Sequence, residues 1–379
     1  MNLMMLSGDN SIARGTDGAF YRMLAMFSQH WSRIDILTPS APDASARLIH
    51  GNVYVHPSPW HRLMQPHFIK THGAKLLQER DYALVTSHDF GFFYNGIGAY
   101  WLLKNTDIPY VSEIHHVEGY PRAVTVREKL WRFTAMRYLP FVAKHAAAIR
   151  VVNAIEVPQL LREIGIPDEK ILVLPSLYMD FEIFKPLPDI EKQYGVLFVG
   201  RLAANKGILI LLDAIAKVRR THPEITLAIR GDGDLKTQID EFITEHDLSQ
   251  NIRFLPRVSD DDALTRLYNQ ANMLVCASTV EGGPRVTVEA MACGIPVIST
   301  PVGIMPEVIQ HGENGFLFEW DSDALAAYII QMLDDPLLQE KIAAAGRMAV
   351  QDYDAKTVIG NYACGYHALI HQLNTDEST

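Results

Sequence analysis

Residues 196–218 read VLFVGRLAANKGILILLDAIAKV. The apolar run Val196–Val199 predicts a buried strand, and Ile208, Leu211, Leu212, Ile215 and Val218 recur at the spacing of one helical face. Between them, Gly200-Arg201-Leu202-Ala203-Ala204-Asn205-Lys206-Gly207 turns the strand into the helix. Glycine lets the backbone come close to a bulky ligand. Arg201 and Lys206 place two cations near a helix N-terminus, whose dipole also favours anions. Taken alone, the stretch fits equally a diphosphate clamp that needs no metal and a capped turn with two solvated cations.

The same plan extends outward. Ile225–Ile229 is a predicted strand, after which Gly231-Asp232-Gly233 turns into a helix carrying Leu235, Ile239 and Phe242. Ile252–Leu255, Met273–Ala277 and Pro296–Ser299 complete the strands of this half. Ser259 is the expected cap of a helix whose first turn is Asp260-Asp261-Asp262. Pro284–Cys293 reads as a helix ended by Gly294, and helical patterns cover 322–333, 337–352 and 355–373. In the first half, strands are expected at Leu3–Ser7, Ile34–Leu37, Val53–Val55, Ala83–Ser87, Tyr110–Ile114, Ala148–Val152 and Ile171–Leu174, with helix-like segments between most of them. Tyr178–Gln193, with Pro186 and Pro188, reads as a linker. Strands alternating with helices imply parallel sheets covered on both faces. The expected fold is α/β: two Rossmann-like, doubly wound domains, 1–180 and 181–354, facing a central cleft. Ligands of such sheets bind outside the carboxyl ends of the strands.

Composition narrows the function. The 379 residues are 48% hydrophobic and 21% charged, ordinary for a globular protein. Three cysteines, Cys276, Cys293 and Cys364, in no metal-binding spacing exclude a disulfide framework and a structural zinc site and fit a reducing compartment. Residues 1–8 are apolar, but no charged n-region, long apolar region or cleavage site follows, and no stretch is long and apolar enough to span a bilayer. A cytoplasmic location is expected. Residues 1–180 carry 18 Lys/Arg and 16 Asp/Glu, so most of the net charge of −10 lies in the second half. That acidity argues against nucleic acid as a partner.

A second constellation runs from Glu281 to Gly294, EGGPRVTVEAMACG. Glu281 sits in the loop after a strand, Gly282 and Gly283 leave backbone N–H groups accessible, and Pro284 can open the helix. Glu289 lies within an otherwise apolar helix; it either faces a cleft, where a carboxylate can accept two sugar hydroxyls, or is an exposed helix residue with Glu281 as a cap, and the stretch taken alone slightly favours the second.

Taken in order, these motifs resemble the retaining GT-B glycosyltransferases of the GT4 family. The resemblance rests on G-R-L-x-x-x-K-G at 200–207, G-x-G at 231–233, Glu281 and Glu289 at E-x7-E spacing, the run EAMACGIPVI at 289–298, Pro306-Glu307 and Gly312-Glu313-Asn314-Gly315. It implies that Arg201 and Lys206 hold the donor diphosphate and stabilise charge as the nucleotide leaves. Glu289 would bind the donor ribose and Glu281 the donor sugar. The backbone of Gly282, Gly283 and Arg285-Val286-Thr287 would approach sugar and phosphate, and the segments at Gly231 and at Arg257-Val258 would complete the donor site, the latter meeting the base. In the first half, the loop of Gly15 and Gly18 would approach the phosphates, and His115 would sit near the reacting sugar. His116 is its one-residue alternative. The helical run from about 355 to 379 would cross back to the first domain, as in relatives. Ser176-Leu177 departs from the Asn-Gly often found there in the family.

The expected reaction is a retaining, metal-independent transfer from a nucleotide-diphosphate sugar to a glycan, a lipid-linked or a small-molecule acceptor. It needs no cofactor and no metal ligands. The alternatives are a nucleotide-sugar isomerase or epimerase on a similar scaffold, and a non-catalytic nucleotide-sugar-binding protein. The first strand is not followed by G-x-G-x-x-G, which argues against an oxidoreductase. Asp232-Gly233-Asp234 and Asp260–Asp262 read as helix starts rather than metal carboxylates. His56, His61, His67 and His72 read as surface residues around Trp60 and Phe68, and His88-Asp89 ends a strand. Residues 115–150 carry seven Lys/Arg against two Glu, interleaved with aromatics. This is the pattern of a helix that lies on an anionic inner membrane face, or of a domain helix with a solvated basic side.

Overall fold

Eight strands form the first sheet: β1 (Asn2–Leu6), β2 (Arg33–Thr38), β3 (Arg47–Ile49), β4 (Val53–Pro57), β5 (Leu84–His88), β6 (Tyr110–Ile114), β7 (Ala148–Val151) and β8 (Ile171–Val173). Their order is β3-β4-β2-β1-β5-β6-β7-β8. Every pairing is parallel except β3 with β4. The central strands are buried along nearly their whole length, because helices cover both faces. Antiparallel β3 is the edge, and Leu48 on it is exposed. It lacks the apolar run that marks the others, so no strand was expected there.

The second sheet has β9 (Tyr194–Val199), β10 (Leu227–Arg230), β11 (Ile252–Leu255), β12 (Ala271–Cys276), β13 (Val297–Ser299) and β14 (Phe316–Leu317), in the order β11-β10-β9-β12-β13-β14, all parallel. Strand alternation divides its core in two. Val196 and Phe198 face one apolar layer with Leu211, Ile215 and Ile229, while Leu197 and Val199 face another with Ala228, Leu274 and Met291. The sheet order reverses between β9 and β12. The loops leaving these two strands are the two constellations read from the sequence, so the switch point of this sheet brings them side by side.

The computed structural model describes residues 1–258 and 260–376; the cap expected at Ser259 lies outside them. The chain divides into two compact units. The first comprises Met1–Glu118, Leu130–Ser176 and the residues from Lys356 onward; the second comprises Gly119–Lys129 and Leu177–Ala355. Two features of this division differ from the sequence reading. The expected linker is part of the second unit: Met179 and Phe184 are buried in its core, and Asn269 bonds the backbone of Lys185 and Leu187 at 3.1 and 2.8 Å. The prolines stiffen a segment that is packed down by its apolar neighbours. Gly119–Lys129 also joins the second unit, where the Arg122 guanidinium lies 5.3 Å from the Trp320 ring. No local pattern signals that contact. The long last helix, Ala355–Asp376, packs on the first unit through Tyr362, stacked on Phe27 at 4.7 Å, and His367, stacked on Trp31 at 4.6 Å.

Candidate active site

The loop after β9 is pinned by glycines. A Cβ at Gly231 would lie 1.8 Å from the Gly200 carbonyl oxygen, one at Gly233 2.5 Å from that of Leu202, and one at Gly207 2.0 Å from that of Ala277. Gly207 also has φ +64°, a left-handed conformation that other residues adopt at a cost. The loop after β9 thus lies directly on the backbone that leaves β10 and β12. The amide of Leu202 donates to Asp232 at 2.9 Å, and that of Leu235 donates to Leu202 at 3.0 Å. Gly231, expected at the donor, has this packing role in the structure.

Lys206 ends a short 3₁₀ turn, Ala204–Lys206, and its ammonium pairs with the Glu281 carboxylate from the loop after β12. The Ser278 hydroxyl donates to the same Glu281 oxygen at 2.8 Å. The Ser278 carbonyl accepts from the Trp320 indole N–H at 2.9 Å and from the Thr300 hydroxyl at 2.5 Å. Lys206, Glu281, Ser278 and Trp320 therefore form one chain of polar contacts. Arg201, on the same loop as Lys206, is exposed and has no ion pair among the described residues. Gly303, at φ +58°, lets its turn come against the Glu281 and Gly282 carbonyls, where a Cβ would lie 2.9 and 2.5 Å away. Gly283 has Leu177 as its nearest neighbour, 3.4 Å from a built Cβ.

The following helix, Arg285–Ala292, starts after Pro284. Glu289 is 5% exposed, with Oε2 accepting from the Tyr268 hydroxyl at 2.7 Å and Oε1 from Arg285 Nε at 2.9 Å. Burial raises its pKa, against the opposing pull of Arg285 and Tyr268. Glu289 is thus a largely buried, doubly bonded carboxylate rather than an open cleft residue; a carboxylate keeps lone pairs free beyond two such bonds. Arg285 also lies 5.0 Å over the Tyr178 ring. Thr287 is buried, with its hydroxyl and its backbone amide both donating to the Pro284 carbonyl, at 2.6 and 3.1 Å. Val286 and Val258 pack on the core beside Val288, and Arg257 is exposed.

In the first unit, His115 directly follows β6, with its side chain one-third exposed at 33%. Its ring stands 4.2 Å from that of His88, at the end of β5. Burial lowers the His115 pKa, and it lowers that of His88 to about 3, which favours the neutral form of both rings. His116 lies 3.6 Å from Glu118 instead. Gly15 closes the Ser11–Arg14 turn at φ +77°, where a Cβ would meet the Arg47 guanidinium at 2.2 Å. Gly18 caps the helix Ala19–Phe27 with nothing within 4 Å of a built Cβ. Local backbone geometry explains Gly15; nothing in the structure demands glycine at 18.

Asp89 is buried, its Oδ2 accepting from Ser112 and Tyr138 at 2.6 Å each and from Ser87 at 3.1 Å, with no hydrogen-bond partner on Oδ1 among the described residues. Burial pushes its pKa up to about 7. His56 and His72 are not free surface groups as expected: His56 bonds the buried Asp35 at 2.8 Å, and His72 bonds His56 at 3.2 Å. Asp260 caps its helix by accepting from the Ala263 amide at 2.8 Å, whereas Asp232 accepts from the Gly233 amide at 2.8 Å in the turn before the helix Lys236–Glu245, which has no side-chain cap. Among the described residues no group of three His, Cys, Asp or Glu could hold a metal, and no helix is long and apolar enough to cross a membrane. Sequence reading missed Tyr268, Ser278, Trp320, Glu113 and Arg150. Single polar residues on strands and helices carry no spacing signal until the fold brings them to a partner.

Comparisons with known proteins bear on the family and the fold. Residues 18–176 match the glycosyl transferase 4-like domain, and residues 179–349 match the glycosyl transferases group 1 family. A glycogen synthase of Mycobacterium tuberculosis is 32% identical over 165 residues, 43% of this chain and 40% of that one. The chain thus spans less than half the length of that relative. The fold is that of a sucrose-phosphate synthase from Thermosynechococcus elongatus (TM-score 0.82, 21% identity, 99% of both chains). It is likewise that of HepE from Anabaena, solved with UDP and glucose (TM-score 0.74, 21% identity, 99% of this chain and 100% of that one). With both halves matched in order, the chain belongs to the GT4 family of GT-B glycosyltransferases, a glycosyl transferase 4-like domain followed by a glycosyl transferases group 1 domain.

Proposed function

We propose that the protein transfers a sugar from a nucleotide-diphosphate donor to a glycan, lipid-linked or small-molecule acceptor, with retention at the anomeric carbon and without a metal ion. The observation that carries this reading is the meeting of Lys206 and Glu281, 75 residues apart, at the switch point of the second sheet, on the loop that also bears the exposed Arg201, which has no ion pair among the described residues. Breaking the glycosidic bond leaves negative charge on the diphosphate and builds oxocarbenium character on the sugar. Fixed cations stabilise the departing charge more in the transition state than in the ground state. Arg201 and Lys206 take that role, and their charge replaces the one a metal would supply. Binding of the diphosphate draws Lys206 from Glu281, whose carboxylate then accepts sugar hydroxyls while Ser278 keeps it oriented. Glu289, held by Tyr268 and Arg285, receives the ribose hydroxyls. The bound UDP and glucose of HepE support a nucleotide-sugar donor.

The test is a melting screen of nucleotide sugars followed by turnover of the best binder with and without EDTA. Ligands that bind only the folded state raise its melting temperature. A rise with at least one nucleotide sugar, and turnover that EDTA leaves intact, are expected. No response to any of them removes the donor assignment, and EDTA-silenced turnover removes metal independence. Conversion of the donor with no acceptor present would assign an isomerase instead.

Leu130, Phe133, Arg137 and Lys144 fall on one exposed stripe of the helix Val126–His145, whose opposite face buries Ala135, Tyr138, Leu139 and Val142. This apolar-to-basic stripe supports docking of the protein on an anionic lipid surface, where a lipid-linked acceptor would be met.

A further inference from the structure

Arg150 is 1% exposed and lies in the first unit among groups that fix every edge of its guanidinium. Its Nε and Nη2 donate to the Leu174 carbonyl at 2.9 and 2.7 Å, and its Nη1 donates to Glu113 Oε2 at 3.1 Å. The Tyr362 ring stacks below it, 4.0 Å from the guanidinium carbon. Glu113 is held in turn by the hydroxyls of Tyr362 and Tyr366, which donate to Oε1 at 2.9 and 2.6 Å. The C-terminal helix thus locks a buried ion pair at the ends of β6 and β7.

This pair meets His115. Arg150 Nη1 lies 3.3 Å from His115 Nε2, while Glu113 Oε2 is 3.6 Å from the same nitrogen and beyond hydrogen-bond reach. Guanidinium nitrogens only donate. Nη1 also reaches the Tyr362 hydroxyl, at 3.4 Å. A hydrogen bond from Nη1 to His115 requires the lone pair on Nε2 and puts the proton of the neutral ring on Nδ1. No described residue bonds Nδ1.

We propose that the buried Glu113–Arg150 pair is a positioning device that fixes His115 as the neutral imidazole protonated on Nδ1. The ring then offers a single free N–H donor to an oxygen of the substrate and cannot act there as a base. The titratable and charged groups around the ring are His88, Glu113, Arg150 and His116. The neighbouring guanidinium opposes protonation of Nε2, and Glu113 favours it; the hydrogen-bond geometry decides for Arg150. The contribution of this donor to turnover rests on the reading of His115 as a sugar-facing residue, but its protonation state does not.

Long-range proton–nitrogen NMR on the full chain tests the proposal, with His115→Gln used to assign the signals. In the wild type, a pyridine-type shift on Nε2 and a pyrrole-type shift on Nδ1 are expected at pH 8. In Arg150→Met the remaining Glu113 charge should raise the His115 titration midpoint by about one pH unit or more. Glu113→Gln/Arg150→Met removes both buried charges together and leaves no uncompensated one should the single variant fail to fold; in it the Nε2–H form should appear. A wild-type ring protonated on Nε2, or a tautomer and midpoint unchanged in these variants, would overturn the proposal. If the tautomer is as expected but His115→Gln turns over at the wild-type rate, the inference stands and the sugar-facing reading of His115 fails.

Discussion

Lys206→Ala separates two kinds of energy at one residue. In the folded protein its ammonium pairs with Glu281, but the side chains are 21% and 16% exposed, and such a partly solvated pair contributes only about 0–1 kcal/mol to stability. Ser278 still holds the carboxylate after the substitution, at 2.8 Å. The melting temperature should therefore fall by no more than about 2–4 °C. The expected effect on turnover is far larger. A preorganised donor to a charge that develops in the transition state is worth ~3–4 kcal/mol, or about 100- to 1,000-fold in kcat. Arg201→Ala should lose a similar factor with even less effect on stability, because Arg201 has no ion pair to break among the described residues. The assay is nucleotide release at saturating donor, run beside a thermal melt of each variant. A folded Lys206→Ala or Arg201→Ala enzyme within about threefold of the wild-type kcat would refute the cation argument. A collapse in melting temperature with lost activity would make Lys206 a strut rather than a clamp.

Asp89 gives a pH signature. Its folded pKa is raised from 3.8 to about 7 by burial, so between those values the native state holds a proton that the unfolded chain has released, and stability falls as pH rises through that window. Asp89→Asn abolishes this dependence, and its unfolding free energy relative to wild type should rise between pH 4 and pH 7 by on the order of 1 kcal/mol or more, measured by urea titration; a pH-independent difference would show that Asp89 is ionised in the fold. For the helix stripe, co-sedimentation with anionic liposomes at low salt should be lost in Leu130→Glu/Phe133→Glu and in high salt, and wild-type protein left in the supernatant would remove the docking surface.

Much of this molecule is legible in its sequence because strands buried on both faces and the helices that cover them obey short-range rules. The apolar runs at β1, β6, β9 and β12 and the helical spacing from Ile208 to Val218 can be read without knowing any neighbour. The two glycine-bearing loops likewise announce themselves by composition and by position after a strand. Tertiary structure decided the rest. It put Lys206 on Glu281, buried Glu289 between Tyr268 and Arg285, drew the proline-rich segment at 178–193 into a core, and brought Tyr362 and Tyr366 to a glutamate some 250 positions earlier. The physical reason is the same in each case. Periodicity records what a residue does toward its own element, whereas a charge or hydroxyl takes its role from whichever group the sheet order sets opposite it.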